Sequence, residues 1–440
     1  MLSNKSIIFF INLTILFLFT AFGIIALFGI NKILFLDNKN EFYYYIYVLV
    51  ALINFIFFLV IFFKNIKIKF FLSISYISFF ILFYFIEILL VYTAQPSTTF
   101  EMYEIYKKQN YNFVPHYRQR LFDTNNPNSG FPGKIYTLGG ISKVGLVMTN
   151  ENGFYPMTYH DQFGWTNLEV NYDNFDVALI GGSFVEGWSV KQEDNIVSNL
   201  KSKNINAISL AFAANGPMVM FATFKEYVMP FKPKKIIWFY SDDDLIEMQK
   251  NLDNKYLLKY LKDDSFSQNL IQRQNEIDTL MTNYALKNWE IQKRTHVRKY
   301  NYKRMIKLSN IRQKLKFYNK ESKEKRIYEK ASVEINQETF QTYNLIIKKT
   351  KEIANLWEAE LYFVYIPSKY KFESYEFKDE FNKNLEIVLS MAKTNNIPIL
   401  NLEERIIEKS KEPISLYSNH FNREGYKFAA DQIALFISDK

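Results

Sequence analysis

Cysteine is absent from this 440-residue chain, and histidine is scarce. Without cysteine the chain can form neither disulfides nor thiolate metal sites. None of its four histidines has a local cluster of His, Asp or Glu, which argues against a structural zinc site. They are His116, His160, His296 and His420. The sequence therefore implies no metal and no cofactor.

Lys and Arg are also missing from three apolar runs that open the chain, at residues 6–30, 43–63 and 70–93, and Glu87 is the one acid within them. Each run is long enough to cross the hydrocarbon core of a bilayer as a helix, which takes about 20 residues. A cleaved signal peptide explains one such run but not three in succession. The sequence predicts a membrane anchor of three transmembrane helices over residues 1–95, with the lipid bilayer as a partner.

The Lys and Arg bias of the short loops predicts the orientation of this anchor. Lys64, Lys67 and Lys69 lie between the second and third runs with no acid among them, whereas the first loop mixes both signs of charge. This places the second loop in the cytoplasm and everything after Thr93 outside. The expected localisation is the cell (inner) membrane, multi-pass, with the main domain on the periplasmic or extracytoplasmic side.

Residues 96–175 read as a polar lead-in with a turn-forming stretch at 125–133 and short β-like runs. We interpret this region as a β-rich subdomain that covers the main sheet. The adjacent His160 and Asp161 fall here, and we interpret them as a loop pair without a catalytic part.

The stretch Asp176-Val-Ala-Leu-Ile-Gly-Gly-Ser183 organises the rest of the chain. A continuous apolar run is typical of a parallel strand that is buried on both faces. The two glycines that end it allow a sharp turn and a close approach of other groups. The carboxyl edge of an open α/β sheet is where ligands bind, so Ser183 is placed for chemistry. On this stretch alone, a simple turn remains an equal alternative.

From residue 176 to 440 the pattern alternates between strands and helices, which predicts a flavodoxin-like, three-layer α/β domain with a parallel five-stranded sheet. The strands are expected at 176–180, 206–212, 235–240, 361–366 and 397–400, and the helices at 190–202, 217–228, 338–357, 376–395 and 424–437. A helical insertion of about residues 246–335 separates the third and fourth strands.

Polar groups follow several of these strands. Ala213-Ala214-Asn-Gly-Pro comes after the second strand, Ser241-Asp242-Asp243-Asp244 after the third, and His420 just before the final helix, for which Asn422 is a candidate cap. Each of these alone is more often a loop than a site. Their joint arrival at one edge, together with Ser183, is the specific signal. The three adjacent acids have an alternative interpretation as a cation site.

These motifs resemble those of the SGNH, or GDSL-type, hydrolases, over about residues 176–250 and 360–437, and in particular the membrane-anchored members with several amino-terminal spans. The lead-in Asn150-Glu-Asn-Gly-Phe-Tyr-Pro and the near match Ala214-Asn-Gly-Pro are similar to that group. The resemblance implies a serine nucleophile at Ser183 and a histidine base at His420. It implies an oxyanion hole formed by Ser183, Ala214 and Asp243.

Three positions depart from the family pattern. Gly182 stands where the motif usually has aspartate, Asp243 where an amide donor is expected, and Tyr417 where many members have the acid that orients the histidine. A backbone carbonyl can do part of that acid's work, and membrane-anchored relatives dispense with it. Alanine at 214 keeps its N–H, so that change is mild if its backbone φ is negative.

The net charge of +9 comes from one segment, because residues 287–330 hold 16 Lys and Arg against 4 Glu, a difference of +12. An extracytoplasmic location excludes nucleic acid as a partner. Anionic lipid headgroups or an acidic glycan fit better, with a merely solvated helical face as the alternative.

Three functions compete on these observations. The first is a membrane-tethered extracytoplasmic serine esterase that removes acyl groups, with O-acetyl groups expected, from an envelope polysaccharide or glycolipid. The second is an O-acyltransferase on the same fold, with a sugar hydroxyl replacing water. The third is a catalytically degenerate glycan-binding or assembly protein, suggested by the three departures at Gly182, Asp243 and Tyr417.

Overall fold

A computed structural model describes residues 4–35, 41–109, 111–117, 135–168, 170–314, 333–373 and 375–438. The chain divides into two units, one of Met1–Ala94 with Lys303–Phe317 and one of Gln95–Tyr302 with Tyr318–Lys440. The predicted turn stretch at 125–133 and residues 315–332 of the predicted insertion lie outside the described residues. The insertion thus contributes residues to both units.

The first unit is built on three apolar helices: α1 (Asn4–Phe35), α2 (Glu41–Phe62) and α3 (Ile66–Thr93). Two stretches are long and apolar enough to cross a membrane, Lys5–Asn31 and Ile66–Thr93. Few of their residues are buried, unlike those of a helix in the core of a soluble protein.

Within the described residues, two of the three predicted membrane-spanning helices meet this measure. Helix α2 forms as well, and its described part includes the apolar segment Val48–Phe62.

The second unit opens with helix α4 (Thr99–Lys108), which Thr98 caps by accepting a hydrogen bond from the Glu101 N–H. Two short strands follow, β1 (Gly145–Val147) and β2 (Met157–Tyr159), and they pair antiparallel. This is the β structure in the predicted lead-in. The loop between these two strands carries Glu151, which matters below.

The main sheet has five parallel strands, as predicted: β3 (Val177–Gly181), β4 (Ala207–Ala211), β5 (Lys235–Ser241), β6 (Glu360–Ile366) and β7 (Ile399–Asn401). Their order is β4-β3-β5-β6-β7, with β3 hydrogen-bonded to both β4 and β5. This is the flavodoxin-like order. The chain reverses direction across the sheet between β4 and β5, so the end of β3 is a switch point where a ligand site is expected.

Helices connect the strands. They are α5 (Ser183–Glu186), α6 (Ile196–Lys201), α7 (Pro217–Thr223), α8 (Asp244–Gln249), α9 (Lys255–Lys262), α10 (Gln274–His296), α11 (Tyr302–Ile306), α12 (Ser309–Lys314), α13 (Gln337–Asn355), α14 (Tyr370–Glu373), α15 (Tyr375–Thr394), α16 (Leu402–Lys409) and α17 (Arg423–Ser438). A π-helical turn at Phe224–Val228 extends α7, and short 3₁₀ turns lie at Gln192–Asp194, Arg298–Tyr300 and Pro413–Leu416.

The sheet is covered on both faces, because successive side chains of a strand point to opposite sides. In β3, Ala178 and Ile180 belong to one core, which α7, α13 and α15 complete. Val177 and Leu179 belong to the other, which α6, α16 and α17 complete. All five residues of β3 are buried. The continuous apolar run is thus explained by burial on both faces, and it holds the carboxyl end of β3 rigidly.

Candidate active site

Ser183 is placed by the sharp turn at the end of β3. A Cβ on Gly181 would lie 2.6 Å from Val185 Cγ2 and 3.0 Å from Phe239 Cβ, so only glycine fits there. A Cβ on Gly182 would meet nothing closer than 3.8 Å, and Asp244 Oδ1 would be 3.9 Å away. The aspartate of the family motif would therefore fit sterically at 182, but it would bring a second carboxyl group beside that of Asp244. Ser183 itself begins helix α5 and is half-buried.

His420 meets Ser183 although 237 residues separate them in sequence, with 2.8 Å between His420 Nε2 and Ser183 Oγ. The imidazole comes from the loop before helix α17, whose start is fixed by Asn422: its side chain accepts a hydrogen bond from the Gly425 N–H. This is the cap predicted from the sequence. The Phe184 ring lies 5.0 Å from the imidazole, centroid to centroid. The structure thus brings the two predicted catalytic residues within hydrogen-bond distance.

A carboxylate contacts the other ring nitrogen of His420, and this partner was not predicted from the sequence. Glu151 lies 3.2 Å from His420 Nδ1 through each of its oxygens, and its Oε2 also accepts a hydrogen bond from the His420 backbone N–H at 3.0 Å. Burial of Glu151 opposes its ionisation. The hydrogen bonds from the His420 imidazole and backbone outweigh burial, and the pKa of Glu151 falls below its usual range. Glu151 is therefore a carboxylate at neutral pH.

The loop that carries Glu151 is tied to the His420 loop and to the Ser183 region. Asn152 donates from Nδ2 to the Ser189 carbonyl at 2.8 Å, and its Oδ1 accepts a hydrogen bond from the Ser418 hydroxyl. Next to it, Asn150 Oδ1 accepts from the Gly153 N–H at 2.8 Å, which fixes the turn. The sequence signal for Glu151 was its place as the one acid in the lead-in motif that resembles the family.

Tyr417, which stands where the family has an acid, points away from the Glu151–His420 pair. Its hydroxyl donates to the Pro367 carbonyl at 3.0 Å, its side chain is buried, and its ring packs 4.7 Å from that of Phe421, centroid to centroid. The expectation that His420 lacks a carboxylate partner is therefore wrong. The carboxylate comes from a different loop, and Tyr417 has become part of the core.

Ala214, the predicted oxyanion donor after β4, has a backbone φ of 60°. The condition of a negative φ is thus not met, because this residue adopts a left-handed conformation that costs an L-residue about 1–2 kcal/mol. The side chain is exposed, so the position is not forced by packing of its methyl group. The turn holds a strained residue at the edge where Ser183 lies.

Ala214→Gly is expected to keep any rate of p-nitrophenyl acetate hydrolysis within about threefold, because glycine retains the N–H. It is expected to raise the free energy of unfolding by up to about 1 kcal/mol by relieving the left-handed strain. Ala213→Gly is the matched control, because Ala213 has no positive φ. That variant is expected to lose about 0.5–1 kcal/mol. Denaturant titration of both variants measures the difference, and equal destabilisation by the two would contradict the strain at 214.

Glu186 stabilises the same turn by a hydrogen bond. Its Oε2 accepts a hydrogen bond from the Ala213 N–H at 2.7 Å, and only 1% of the residue is exposed. Burial raises the pKa of Glu186 to about 8, against which that hydrogen bond acts weakly. At neutral pH the group is therefore mostly a neutral acid. It supports the Ala213–Ala214 turn without placing a negative charge beneath the site.

Glu186→Gln is expected to raise the thermal midpoint relative to the native chain at pH 8 but hardly at pH 5. A carboxyl group with a raised pKa contributes stability that is fully present below its unfolded value of 4.5 and is lost as pH rises toward about 8. Each pH unit in that window costs about 1.4 kcal/mol. Glutamine stays neutral and keeps the acceptor for Ala213. Melting curves across this pH range, with the exposed Glu193→Gln as control, should show that the rise in thermal midpoint caused by Glu186→Gln grows with pH. A rise that is the same at every pH would contradict the raised pKa of Glu186.

Each of the three adjacent acids after β5 accepts hydrogen bonds from nearby groups. Asp242 accepts hydrogen bonds from the Tyr365 hydroxyl at 2.6 Å and the Ser368 N–H at 2.7 Å. Asp244 accepts from the Ser241 N–H at 2.9 Å, and burial raises its pKa well above the usual range. In the described part of the chain, no three His, Asp or Glu side chains are grouped to hold a metal ion. The cation interpretation gains no support.

Asp243, the third predicted member of the oxyanion hole, accepts a hydrogen bond from the Ser241 hydroxyl at 3.1 Å through Oδ1. It precedes helix α8 with a backbone φ of −99°. Its part in an oxyanion hole stays a prediction.

His160 and Asp161 have structural partners. His160 is buried with Nδ1 3.0 Å from the Ile141 carbonyl oxygen, and burial lowers its pKa to about 4. Asp161 accepts hydrogen bonds from the Trp165 N–H at 3.0 Å and the Tyr172 hydroxyl at 2.7 Å, among others. These hydrogen bonds join residues of the lead-in to one another.

Among protein families and curated proteins, no match to the chain is found. Solved structures do match. The lipase/acylhydrolase from Enterococcus faecalis is 9% identical, with a TM-score of 0.34, and the match covers 60% of this chain and 96% of that one. A GDSL-like lipase from Bacteroides thetaiotaomicron is 13% identical, with a TM-score of 0.31 and coverage of 62% and 92%. The acetylxylan esterase Axe2 from Geobacillus stearothermophilus is 9% identical, with a TM-score of 0.33 and coverage of 60% and 94%.

At these low identities, the activity of the chain has to be argued from the geometry of its own site. The structure contains three features that the sequence motifs predicted: the parallel sheet, the serine at the end of β3 and the histidine before the final helix. The SGNH, or GDSL-type, hydrolases are the family that this chain resembles in its sequence motifs, and a GDSL-like lipase is among the solved structures that it matches.

Proposed function

We propose that this protein is a membrane-tethered, extracytoplasmic serine esterase that removes acyl groups, with O-acetyl as the expected group, from an envelope polysaccharide or glycolipid. The observation that carries the proposal is the hydrogen-bonded line from Glu151 through His420 to Ser183. Nucleophile, base and orienting acid in that order are the arrangement that activates a serine hydroxyl. A protein that only binds a glycan does not need this arrangement of side chains.

The proposed reaction uses each member of the line in turn. The imidazole donates its Nδ1–H to Glu151, which leaves Nε2 free to accept the hydroxyl proton of Ser183 as Oγ attacks the ester carbonyl carbon. The imidazolium then gives that proton to the leaving alcohol, and an acyl-serine remains. Water attacks the acyl-serine, His420 takes the water's proton, and the carboxylic acid leaves as the proton returns to Oγ. Glu151 stabilises the charged imidazolium in both steps.

The developing oxyanion needs hydrogen-bond donors at this edge of the sheet. The resemblance to the family points to the backbone N–H groups of Ser183 and Ala214 for that role. One such donor is worth about 3–4 kcal/mol in the transition state. The hydrogen bond between Glu186 and the Ala213 N–H would hold the neighbouring Ala214 N–H in place. While Glu186 is neutral, this contact adds no negative charge near the oxyanion.

The membrane side of the proposal is supported by charge and by one contact within the helical unit. Lys69, near the start of α3, donates to Asn12 Oδ1 of α1 at 2.9 Å. The early parts of both helices therefore meet, which fits crossings in the same direction with α2 crossing back between them. With Lys64 and Lys67 at the start of α3, this end belongs in the cytoplasm. The site unit, which follows α3, then lies outside.

Two measurements on the full chain in detergent test the activity. Labelling by a fluorophosphonate is expected at Ser183, and release of free acetate is expected from an O-acetylated polysaccharide. Labelling without acetate release, together with acetyl transfer to an added sugar, would instead support the acyltransferase. Absence of labelling with intact binding of the glycan would support the binding protein and overturn the esterase.

A further inference from the structure

We propose that residues 303–314 form an element that lies in the headgroup region of the membrane and binds anionic lipid headgroups. This inference concerns the helical unit, to which these residues belong together with α1, α2 and α3. It rests on the membrane anchor and is independent of the esterase chemistry.

Glu87 of α3 fixes this element in place. Its Oε1 accepts hydrogen bonds from the Asn310 N–H at 3.0 Å and from Asn310 Nδ2 at 2.8 Å, and its Oε2 accepts from the Ile311 N–H at 3.0 Å. Glu87 is fully buried and Asn310 is 5% exposed. A carboxylate in a lipid-facing helix would be costly without such partners. The acid found in the sequence thus serves to hold helix α12 against α3.

A second contact sets the depth of the element along α3. The Tyr84 hydroxyl donates to the Ile306 carbonyl at 3.0 Å. Glu87 is six residues, or about 9 Å, before the end of α3 at Thr93. A helix of 28 residues spans about 42 Å, roughly 6 Å more than the hydrocarbon core at each end when centred. Glu87 then lies near the boundary between headgroups and acyl chains.

The composition of residues 303–314 suits that boundary. The segment has five Lys and Arg residues and no acid: Lys303, Arg304, Lys307, Arg312 and Lys314. Three of them, all lysines, are exposed, and among the described residues they form no ion pair. Between them Ile306 exposes 68% of its surface. Apolar side chains beside unpaired cations are the signature of an element that inserts into the interface of an anionic membrane.

An acidic glycan could attract the same lysines, but two features favour the lipid surface. The contacts to Glu87 and Tyr84 place the backbone of the element at the edge of the hydrocarbon core, from which long lysine side chains reach the lipid phosphates. A glycan would also leave Ile306 facing water, whereas acyl chains cover it. Each Lys or Arg near an anionic surface adds to binding.

The absence of native cysteine allows a direct test on the full chain. Ile306→Cys is labelled with the environment-sensitive dye NBD, and the protein is placed in nanodiscs of phosphatidylcholine with or without phosphatidylglycerol. The dye is expected to emit as in an apolar medium. A lipid with a spin label near the headgroup should quench it about twofold more than one with a deep label, and more strongly when phosphatidylglycerol is present. Ile81→Cys, an exposed residue in the middle of α3, is the matched control and should favour the deep quencher.

The variant Lys303→Gln/Lys307→Gln/Lys314→Gln, combined with Ile306→Cys, separates charge from depth. It is expected to keep apolar emission in phosphatidylcholine and to lose the increase caused by phosphatidylglycerol. Water-like, unquenched emission at 306 with normal quenching at 81 would overturn the proposal. The proposal would also be overturned if quenching at 306 were the same with and without phosphatidylglycerol and the same in the lysine variant. A response to soluble polygalacturonate but not to phosphatidylglycerol would overturn it in favour of an acidic glycan.

Discussion

Ser183→Ala is expected to lower kcat for p-nitrophenyl acetate by about 10⁶-fold, the loss found when the nucleophile of a serine triad is removed. Alanine has no Oγ, so His420 has no hydroxyl to activate and no acyl-enzyme can form. The loss should appear in kcat, since the residues that position the substrate remain. Initial rates of the full chain in detergent measure it.

Ser202→Ala is the matched control for this variant. Its hydroxyl donates to the Asn199 carbonyl at the end of α6, before β4 begins, so it lies at the opposite edge of the sheet. It is expected to leave the rate unchanged. If Ser183→Ala kept more than about a tenth of the native rate, with the fold intact by melting curve, the covalent mechanism would be wrong.

The positions of Ser183 and His420 could be predicted because the strands of the sheet have a recognisable pattern in the sequence. Parallel strands buried on both faces read as apolar runs, and the predicted first strand at 176–180 differs from β3 by one residue at each end. Parallel strands share a carboxyl edge, so residues that follow them meet there. The cap at Asn422 was likewise local information, since the cap and its target lie three residues apart.

Glu151 could not be predicted in the same way, because nothing local ties it to its partner. It lies in a loop between two short strands outside the main sheet, 269 residues before His420. The family pattern directed attention to Tyr417, whose side chain instead joined the core. The partner of Glu87 was hidden for the same reason, since Asn310 follows 223 residues later. Backbone strain at Ala214 depends on the shape of its turn, which residue types alone did not reveal.

Glu151→Gln is expected to lower kcat by about 10⁴-fold while KM stays within about threefold. Glutamine has nearly the same shape, but its amide can offer an N–H to Nδ1, which favours the tautomer that carries its proton on Nε2. That proton would face Ser183 Oγ and block its activation. The amide also cannot stabilise the imidazolium, so both effects act on the chemical step rather than on substrate binding.

A structural role and an orienting role for Glu151 predict different results, so the kinetic experiment should be paired with stability against pH. Because the pKa of Glu151 is lowered, its pairing with His420 contributes stability above the unfolded value of 4.5, and this is lost as pH falls through the lowered pKa. Glu151→Gln should lack that acid-dependent loss, and the exposed control Glu412→Gln should retain it with native kcat. A fall in stability at every pH with little change in kcat would make Glu151 a structural residue. A fall in kcat of several orders at constant KM, with a native melting midpoint at low pH, would assign it the orientation of His420.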